Sequence, residues 1–383
     1  MRNVIPPRLS ASEGPFKYTY LGVIALPGAI LPAGESLRPF HAFPGLGANA
    51  ILSAHCNPYF FHLEQSTAIG SLMLTGFPGR SPAGWLSARL YGLAVYAVGL
   101  EGMFRRSLRR EVEAIREQRR TEPKNPGCYL IYEAEGDLLE APKLEFTRRV
   151  GAVGYGFDIF PAAEYRSLHR HAMYSAATSL ALALTETNCS PEMCVIGDLV
   201  YMTGSNGLVV YSKTMELGAG TATVSSTIQQ TTIDASTDLI PSMISDSAIR
   251  TSITLFVESQ TPSYDNLHSF IAAWSALELL VNRLAKTTRP RWSAMLANGS
   301  LPAWDKDLTD VPFERYRMRD RFFLMASALD ITVASIDAAA FCRINDLRGD
   351  FYHQVNVRER DLPTNDTRTL YRRYLKLSLC RLR

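Results

Sequence analysis

The chain contains no paired-cysteine motif: its six cysteines, Cys56, Cys128, Cys189, Cys194, Cys342 and Cys380, are scattered and form no Cys-x-x-Cys. No disulfide framework is assigned, and with no clear secretory signal the expected setting is a reducing cytoplasm. There is also no Gly-x-Ser-x-Gly elbow, no phosphate loop ending in Gly-Lys-Ser/Thr and no His-Glu-x-x-His pair. The common hydrolase, NTPase and zinc-protease readings lose their main support with them. Charges of the two signs nearly cancel, 40 Lys and Arg against 37 Asp and Glu. A net charge of +3 is too small to make the whole surface attractive to nucleic acid, so any polyanion site must be local. Lipidation motifs, internal repeats and low-complexity tracts are absent from the sequence.

What is present is a globular composition. With 383 residues, 46% hydrophobic and 20% charged, the chain is long enough for two domains, each able to bury its own core. Two apolar runs raise the question of a membrane. The run from Leu21 to Ala33 is short and carries Pro27 and Pro32. The run from Trp85 to Phe104 has about the length of a span but contains Arg89 and Glu101, which are costly inside a bilayer. A buried or amphipathic helix is the expectation for 85–104, and a membrane anchor the alternative.

Texture divides the chain near residue 245. Residues 1–60 are rich in Pro and Gly and show no sustained period, so an irregular lead-in is expected. Residues 85–120 read as a helix whose charged end, Arg105–Arg120, mixes arginines with Glu111, Glu113 and Glu117. Strands are predicted at Tyr129–Tyr132 and Val150–Phe160, a helix at Ala162–Leu184, and a hairpin from Met193–Thr203 and Leu208–Thr214. Beyond Asp246 the strand signals stop. Helices are predicted near 246–260, 265–286, 318–329, 334–355 and 365–380, with Pro290–Pro312 as one long irregular connection. The fold class expected is an α+β region over 1–245, whose role the sequence pattern does not reveal, followed by an all-α bundle over 246–383.

Several candidate sites in the first region carry little. His169, His171, Cys189 and Cys194 are four zinc-ligand types, yet residues two apart on a helix point in different directions and Cys-x4-Cys is loose spacing. Gly45-x-Gly47 and Gly151-x-x-Gly154-x-Gly156 lack the strand, turn and helix that would cradle a pyrophosphate. Both read as loops. Neither a metal nor a cofactor is expected.

The informative stretch is Phe341-Cys-Arg-Ile-Asn-Asp-Leu-Arg348-Gly-Asp-Phe-Tyr-His353. At about 100° per residue, Ile344, Leu347, Phe351 and Val355 share one face of a helix, with Phe341 nearby. Asp346, Gly349 and His353 form a side stripe, and Arg348 sits at the border of the apolar face. Gly349, one turn before His353, leaves room for a substrate or partner at a cost in helix propensity. On a second helix, the stripe Leu267, Phe270, Ile271, Trp274, Leu277, Val281, Ala285 is apolar and Glu278 falls in its middle. A core-facing carboxylate needs a partner, and Arg348 is the candidate. On spacing alone, a structural ion pair with a surface histidine accounts for the same residues.

In the Phe270-x3-Trp274-x-Ala276-Leu277-Glu278 helix, the later Arg348-x4-His353 helix and the all-helical setting, residues 246–383 resemble the HEPN superfamily, specifically its Apea-like branch. The resemblance implies a helical bundle that forms a homodimer, bringing two Arg-x4-6-His motifs to one metal-independent RNA-cleaving cleft. It implies His353 as general acid or base, Arg348 as phosphate ligand and Glu278 as the group orienting Arg348. It also implies a role in prokaryotic defence, abortive infection or toxin action, with the other region answering to an unknown trigger. The pattern is departed from at Gly349, where Asn, Asp or His is usual; Asn345, Asp346 or Asp350 would then supply the polar group. The alternative is a non-catalytic adaptor that binds RNA or a nucleotide.

Overall fold

The computed structural model describes residues 17–54, 127–138, 145–148, 155–158, 162–185, 192–203, 209–214, 226–261, 265–302, 304, 312–353 and 358–381. Segments 85–104 and 105–120, Cys189, the hairpin turn at 204–207 and Val355 lie outside them. The chain forms two compact units, one of Met1–Ile24, Ile30–Arg170 and Ile196–Leu217, the other of Ala25–Ala29, His171–Val195 and Gly218–Arg383. The second unit therefore takes in residues well before 246. Among the described residues, no helix is long and apolar enough to cross a membrane.

The first unit is built on strands β1 (Lys17–Ala25), β3 (Leu37–Phe43), β4 (Ala48–Ser53), β5 (Tyr129–Asp137), β8 (Cys194–Thr203) and β9 (Val209–Thr214). They form a six-stranded sheet in the order β3-β4-β5-β1-β8-β9. Pairs β3/β4, β4/β5 and β8/β9 are antiparallel, the middle one running from Ala48 opposite Ala134 to Ser53 opposite Tyr129. Strands β6 (Glu145–Arg148) and β7 (Tyr155–Asp158) make a separate antiparallel hairpin.

Of the irregular lead-in expected for residues 1–60, the described part, 17–54, is instead built on β1, β3 and β4. Seven consecutive residues of β1, Tyr18–Ile24, are buried, so the strand shows no apolar-polar alternation. Proline and glycine punctuate these strands rather than replace them. Pro39 sits on edge strand β3 beside a register shift, where a missing N–H is tolerated. Gly47 has φ 58°, and a Cβ there would come within 2.6 Å of the Glu135 carbonyl oxygen. On β5, Gly136 leaves the space that the Tyr18 ring occupies.

Helix α1 (Ala162–Leu184) lies where the sequence predicts it. The short strands β2 (Ala29–Ile30) and β10 (Ser226–Thr227) pair, and in the second unit helices follow: α2 (Gln230–Ser245), α3 (Ser247–Glu258), α4 (Asn266–Thr287), α5 (Arg289–Ala297), α6 (Met318–Leu329), α7 (Ala334–Tyr352) and α8 (Thr364–Arg381). Helix α5 occupies the start of the long irregular connection predicted from Pro290 to Pro312, while 298–302 and 304 are irregular as expected and 303 and 305–311 lie outside the described residues. Pro290 stands in the first turn of α5, where its nitrogen owes no hydrogen bond, so it starts the helix instead of breaking it.

Asp246 ends α2 and caps α3, accepting from the amides of Ala248 (2.9 Å) and Ile249 (3.2 Å). The same carboxylate takes Arg283 Nε at 2.7 Å and so ties α3 to α4. Helix α4 is central, packing against α3, α5, α6 and α8. Its buried residues Phe270, Ala273, Trp274, Leu277, Leu280, Val281 and Leu284 recur every three or four positions. The core around it is aromatic: Phe322 stacks on Phe341 at 4.3 Å, Phe256 on Tyr371 at 4.4 Å, and Trp274 lies 5.3 Å from Phe341. Phe322 also meets Tyr374 edge-on at 5.0 Å. Fully burying each such side chain contributes about 2–3 kcal/mol, so these rings tie α4, α6, α7 and α8 together and α3 to α8. At the start of α7, buried Asp337 accepts from Tyr374 Oη at 2.8 Å and pairs with Arg373 at 3.3 Å, docking α7 on α8.

Candidate functional site

Helix α7 leaves the core as it runs to its C-terminus. Phe341 and Ile344 are buried, Leu347, Arg348 and Phe351 are half-buried, and Asp346, Asp350 and His353 are exposed. The last turn therefore presents a mixed polar surface backed by packed aromatics. Arg348 does not simply extend into solvent: its guanidinium carbon lies 5.3 Å from the centre of the Trp274 indole. Such a cation–π contact contributes about 0.5–1 kcal/mol at an exposed site.

Glu278 reaches the same ring from within α4. Trp274 Nε1 donates to Glu278 Oε2 at 3.1 Å, one helical turn apart. Trp274 thus has three faces in use, its body against Phe341, its N–H on a carboxylate and its π-surface under a guanidinium. The partnership expected between Glu278 and Arg348 runs through an aromatic intermediary.

The position of Glu278 also differs from the sequence expectation. It is half-buried, and Ile271, assigned to the same apolar stripe, is 38% exposed. The true core face of α4 is turned toward Ala273, Leu280 and Leu284, which leaves Ile271 and Glu278 on its margin. A marginal carboxylate needs less compensation than a central one.

His353 follows the last residue of α7 and closes it. Its amide donates to the carbonyls of Gly349, at 3.0 Å, and Phe351, while the imidazole is exposed. Gly349 lies between Asp346 and His353 on the helix surface, and a Cβ built on it would meet nothing within 4 Å. No contact inside the described chain requires a glycine there. Asn345 Nδ2 lies 3.5 Å from Asp346 Oδ1, a contact at the limit of hydrogen bonding, and Asp350 is exposed beside them.

The zinc-ligand types on α1 have other duties. His169 is buried in the first unit, with Tyr18 Oη 3.1 Å from Nε2 and Tyr132 Oη 3.2 Å from Nδ1. Burial lowers its pKa to about 4, so the ring is neutral, one nitrogen donating and the other accepting. Beside it, buried Asp198 takes Arg166 at 3.1 Å, Arg170 at 2.9 Å and the Tyr20 hydroxyl at 3.3 Å. His171, in the second unit, has Nδ1 3.0 Å from Thr254 Oγ1. Among the described residues, no three His, Cys, Asp or Glu side chains converge as a metal would need. Gly45-x-Gly47 is a short turn between β3 and β4, not a phosphate cradle.

A second cationic feature has its own signal in the sequence. Arginine recurs at every second residue in Arg315-Tyr-Arg317-Met-Arg319-Asp-Arg321. In the fold, the guanidinium carbons of Arg321 and Arg289 each lie 5.3 Å from the centre of the Phe313 ring. Two cations converge on one aromatic. No protein-family model, no curated protein and no solved structure matches this chain.

Proposed function

We propose that the protein is a metal-independent endoribonuclease of the HEPN type, with Arg348 and His353 at the reacting phosphate and Glu278 as a positioning residue. The observation that carries this reading is the end of α7, where a guanidinium braced on the Trp274–Glu278 pair and an exposed imidazole flank an open glycine. Arg348 binds the scissile phosphate and offsets the charge that grows on it, a task suited to a permanently protonated planar fork. His353 takes the proton from the ribose 2′-hydroxyl, whose oxygen attacks phosphorus, or gives one to the departing 5′-oxygen. The 2′-oxygen to phosphorus bond forms as the phosphorus to 5′-oxygen bond breaks, leaving a 2′,3′-cyclic phosphate.

Helix geometry favours a homodimer. Five residues at about 100° each set Arg348 and His353 some 140° apart around the helix axis, so one copy presents them on different sides. A two-fold pairing of the α7 ends would let the arginine of one copy serve the histidine of the other. In this reading the sheet-containing unit senses the trigger, and the setting is cytoplasmic defence or toxin action, in keeping with the free thiols of Cys128, Cys194, Cys342 and Cys380.

Gly349 favours a second reading. The polar residue usual after the arginine is missing, and the space where it would stand is open. The same groups would then hold RNA or a nucleotide without cleaving it. The test is cleavage of a mixed RNA pool in EDTA by the full chain and by His353→Ala. Cleavage by the wild type alone, with cyclic phosphate ends, is the expected result. Equal rates, or none from the wild type under any trigger, would move the assignment to the binding reading.

A further inference from the structure

Arg289, Arg315 and Arg317 are exposed, and Arg319 and Arg321 are half-buried beside them. Between Pro312 and Arg321 the carboxylates are Glu314 and Asp320, and Asp320 is already buried. It accepts from Trp304 Nε1 at 3.3 Å and from the Arg317 amide at 3.1 Å, holding the start of α6. Arg289 and Arg321 share the Phe313 ring, and Arg319 Nε is buried without a hydrogen-bond partner among the described residues. Gathering like charges around one ring is unfavourable, and a polyanion would relieve it.

This cluster adjoins the proposed active end along α4. Arg321 Nη1 donates to Asn282 Oδ1 at 2.8 Å, and Asn282 is one turn beyond Glu278, itself one turn beyond Trp274, under Arg348. Trp274, Glu278 and Asn282 make a ladder of two helical turns, roughly 12 Å long, with an arginine at each end. Phe313, Tyr316 and Trp292 are buried, so no stacking platform for bases is offered. What the surface presents is guanidinium forks, which match phosphate oxygens.

We propose that the exposed Arg289, Arg315 and Arg317, with half-buried Arg319 beside them and Arg321 tying the cluster to α4, form a docking surface for the sugar–phosphate backbone of RNA, feeding the strand along α4 toward Arg348. The choice of RNA rests on the ribonuclease reading of the α7 end. Binding there is independent of base sequence and falls steeply with salt.

The test uses the full chain carrying His353→Ala, so that RNA survives, with fluorescence anisotropy of fluorescein-labelled poly(U) over a series of KCl concentrations. Each single-strand phosphate contact contributes about 0.7 to the log–log salt slope, or roughly fourfold in affinity at 0.15 M salt. Arg289→Gln, Arg315→Gln and Arg317→Gln together should flatten the slope by about 2 and weaken binding about 50-fold, with the circular dichroism unchanged. Wild-type affinity and slope in that folded triple variant would overturn the proposal, as would no RNA binding by the parent. A triple variant that loses binding to phosphatidylserine vesicles but keeps RNA would also overturn it, in favour of a lipid surface. If the triple change weakens binding while the chain with His353 intact cleaves no RNA, the ribonuclease reading fails and the docking surface stands.

Discussion

Replacing Gly349 by alanine should make the protein more stable and less active, a pairing that few substitutions produce. Gly349 is helical, its carbonyl accepts the His353 amide at 3.0 Å, and an added Cβ meets nothing within 4 Å. Glycine in a helix interior is worth up to about 1 kcal/mol less than alanine, and in the last turn roughly half of that should be recovered. For a unit of this size the gain is about 1–2 °C in Tm. Guanidinium unfolding can be followed by fluorescence, because Trp274, Trp292 and Trp304 all lie in the helical unit. If RNA or a second copy closes on the open stripe between Asp346 and His353, the extra methyl is an overpacking defect of about 1–3 kcal/mol. That corresponds to roughly 5- to 150-fold in cleavage rate. A loss of stability would refute the account of the helix end, and a gain with unchanged cleavage would refute a functional need for glycine.

Two further outcomes follow from the packing. Trp274→Phe removes the N–H that Glu278 accepts and part of the surface under Arg348, and should cost about 1–3 kcal/mol; Glu278→Gln should add little on top of it, and strict additivity in the double-mutant cycle would refute the shared ring as the link. His169 is held neutral by burial, with its pKa lowered from 6.5 to about 4, so the unfolded chain binds the extra proton between those values. Its contribution is complete above pH 6.5 and lost as pH falls toward 4. Acidification from pH 7 to 5 should cost about 2 kcal/mol in denaturant titrations, and a wild type matching His169→Gln over that range would refute it.

Much of the helical part was legible because its helices are amphipathic. The pattern of α6 predicts residues 318–329, the bounds observed, and α3, α4 and α8 fall within about two residues of expectation. The β8/β9 hairpin was legible for the same kind of reason, two β-rich runs about a glycine-rich turn. Strands β1, β3 and β4 were not. A strand buried on both faces, as β1 is, has no alternation to read, and its neighbouring prolines and glycines imitate an irregular segment. Helix α2 hid behind Thr and Ser residues of low propensity and an internal Pro241, although Ile233, Leu239, Ile240 and Met243 do fall on one buried face.

The candidate site divides in the same way. That Arg348, Gly349 and His353 share the end of one helix, and that Trp274 and Glu278 lie one turn apart on another, follows from spacing and a 3.6-residue turn. That Arg348 lies on the Trp274 ring does not, since it depends on where α7 crosses α4 and how far α4 is rotated about its axis. Rotation is set by the whole aromatic core, Phe322 on Phe341 and Phe341 beside Trp274, and it moves Glu278 from the centre of the apolar face to its margin. The alternating arginines were present in the sequence, but only packing brings Arg289 from α5 onto the Phe313 ring opposite Arg321. Local periodicity determined the elements and their chemistry; which charges meet was decided by side-chain packing between helices distant in sequence.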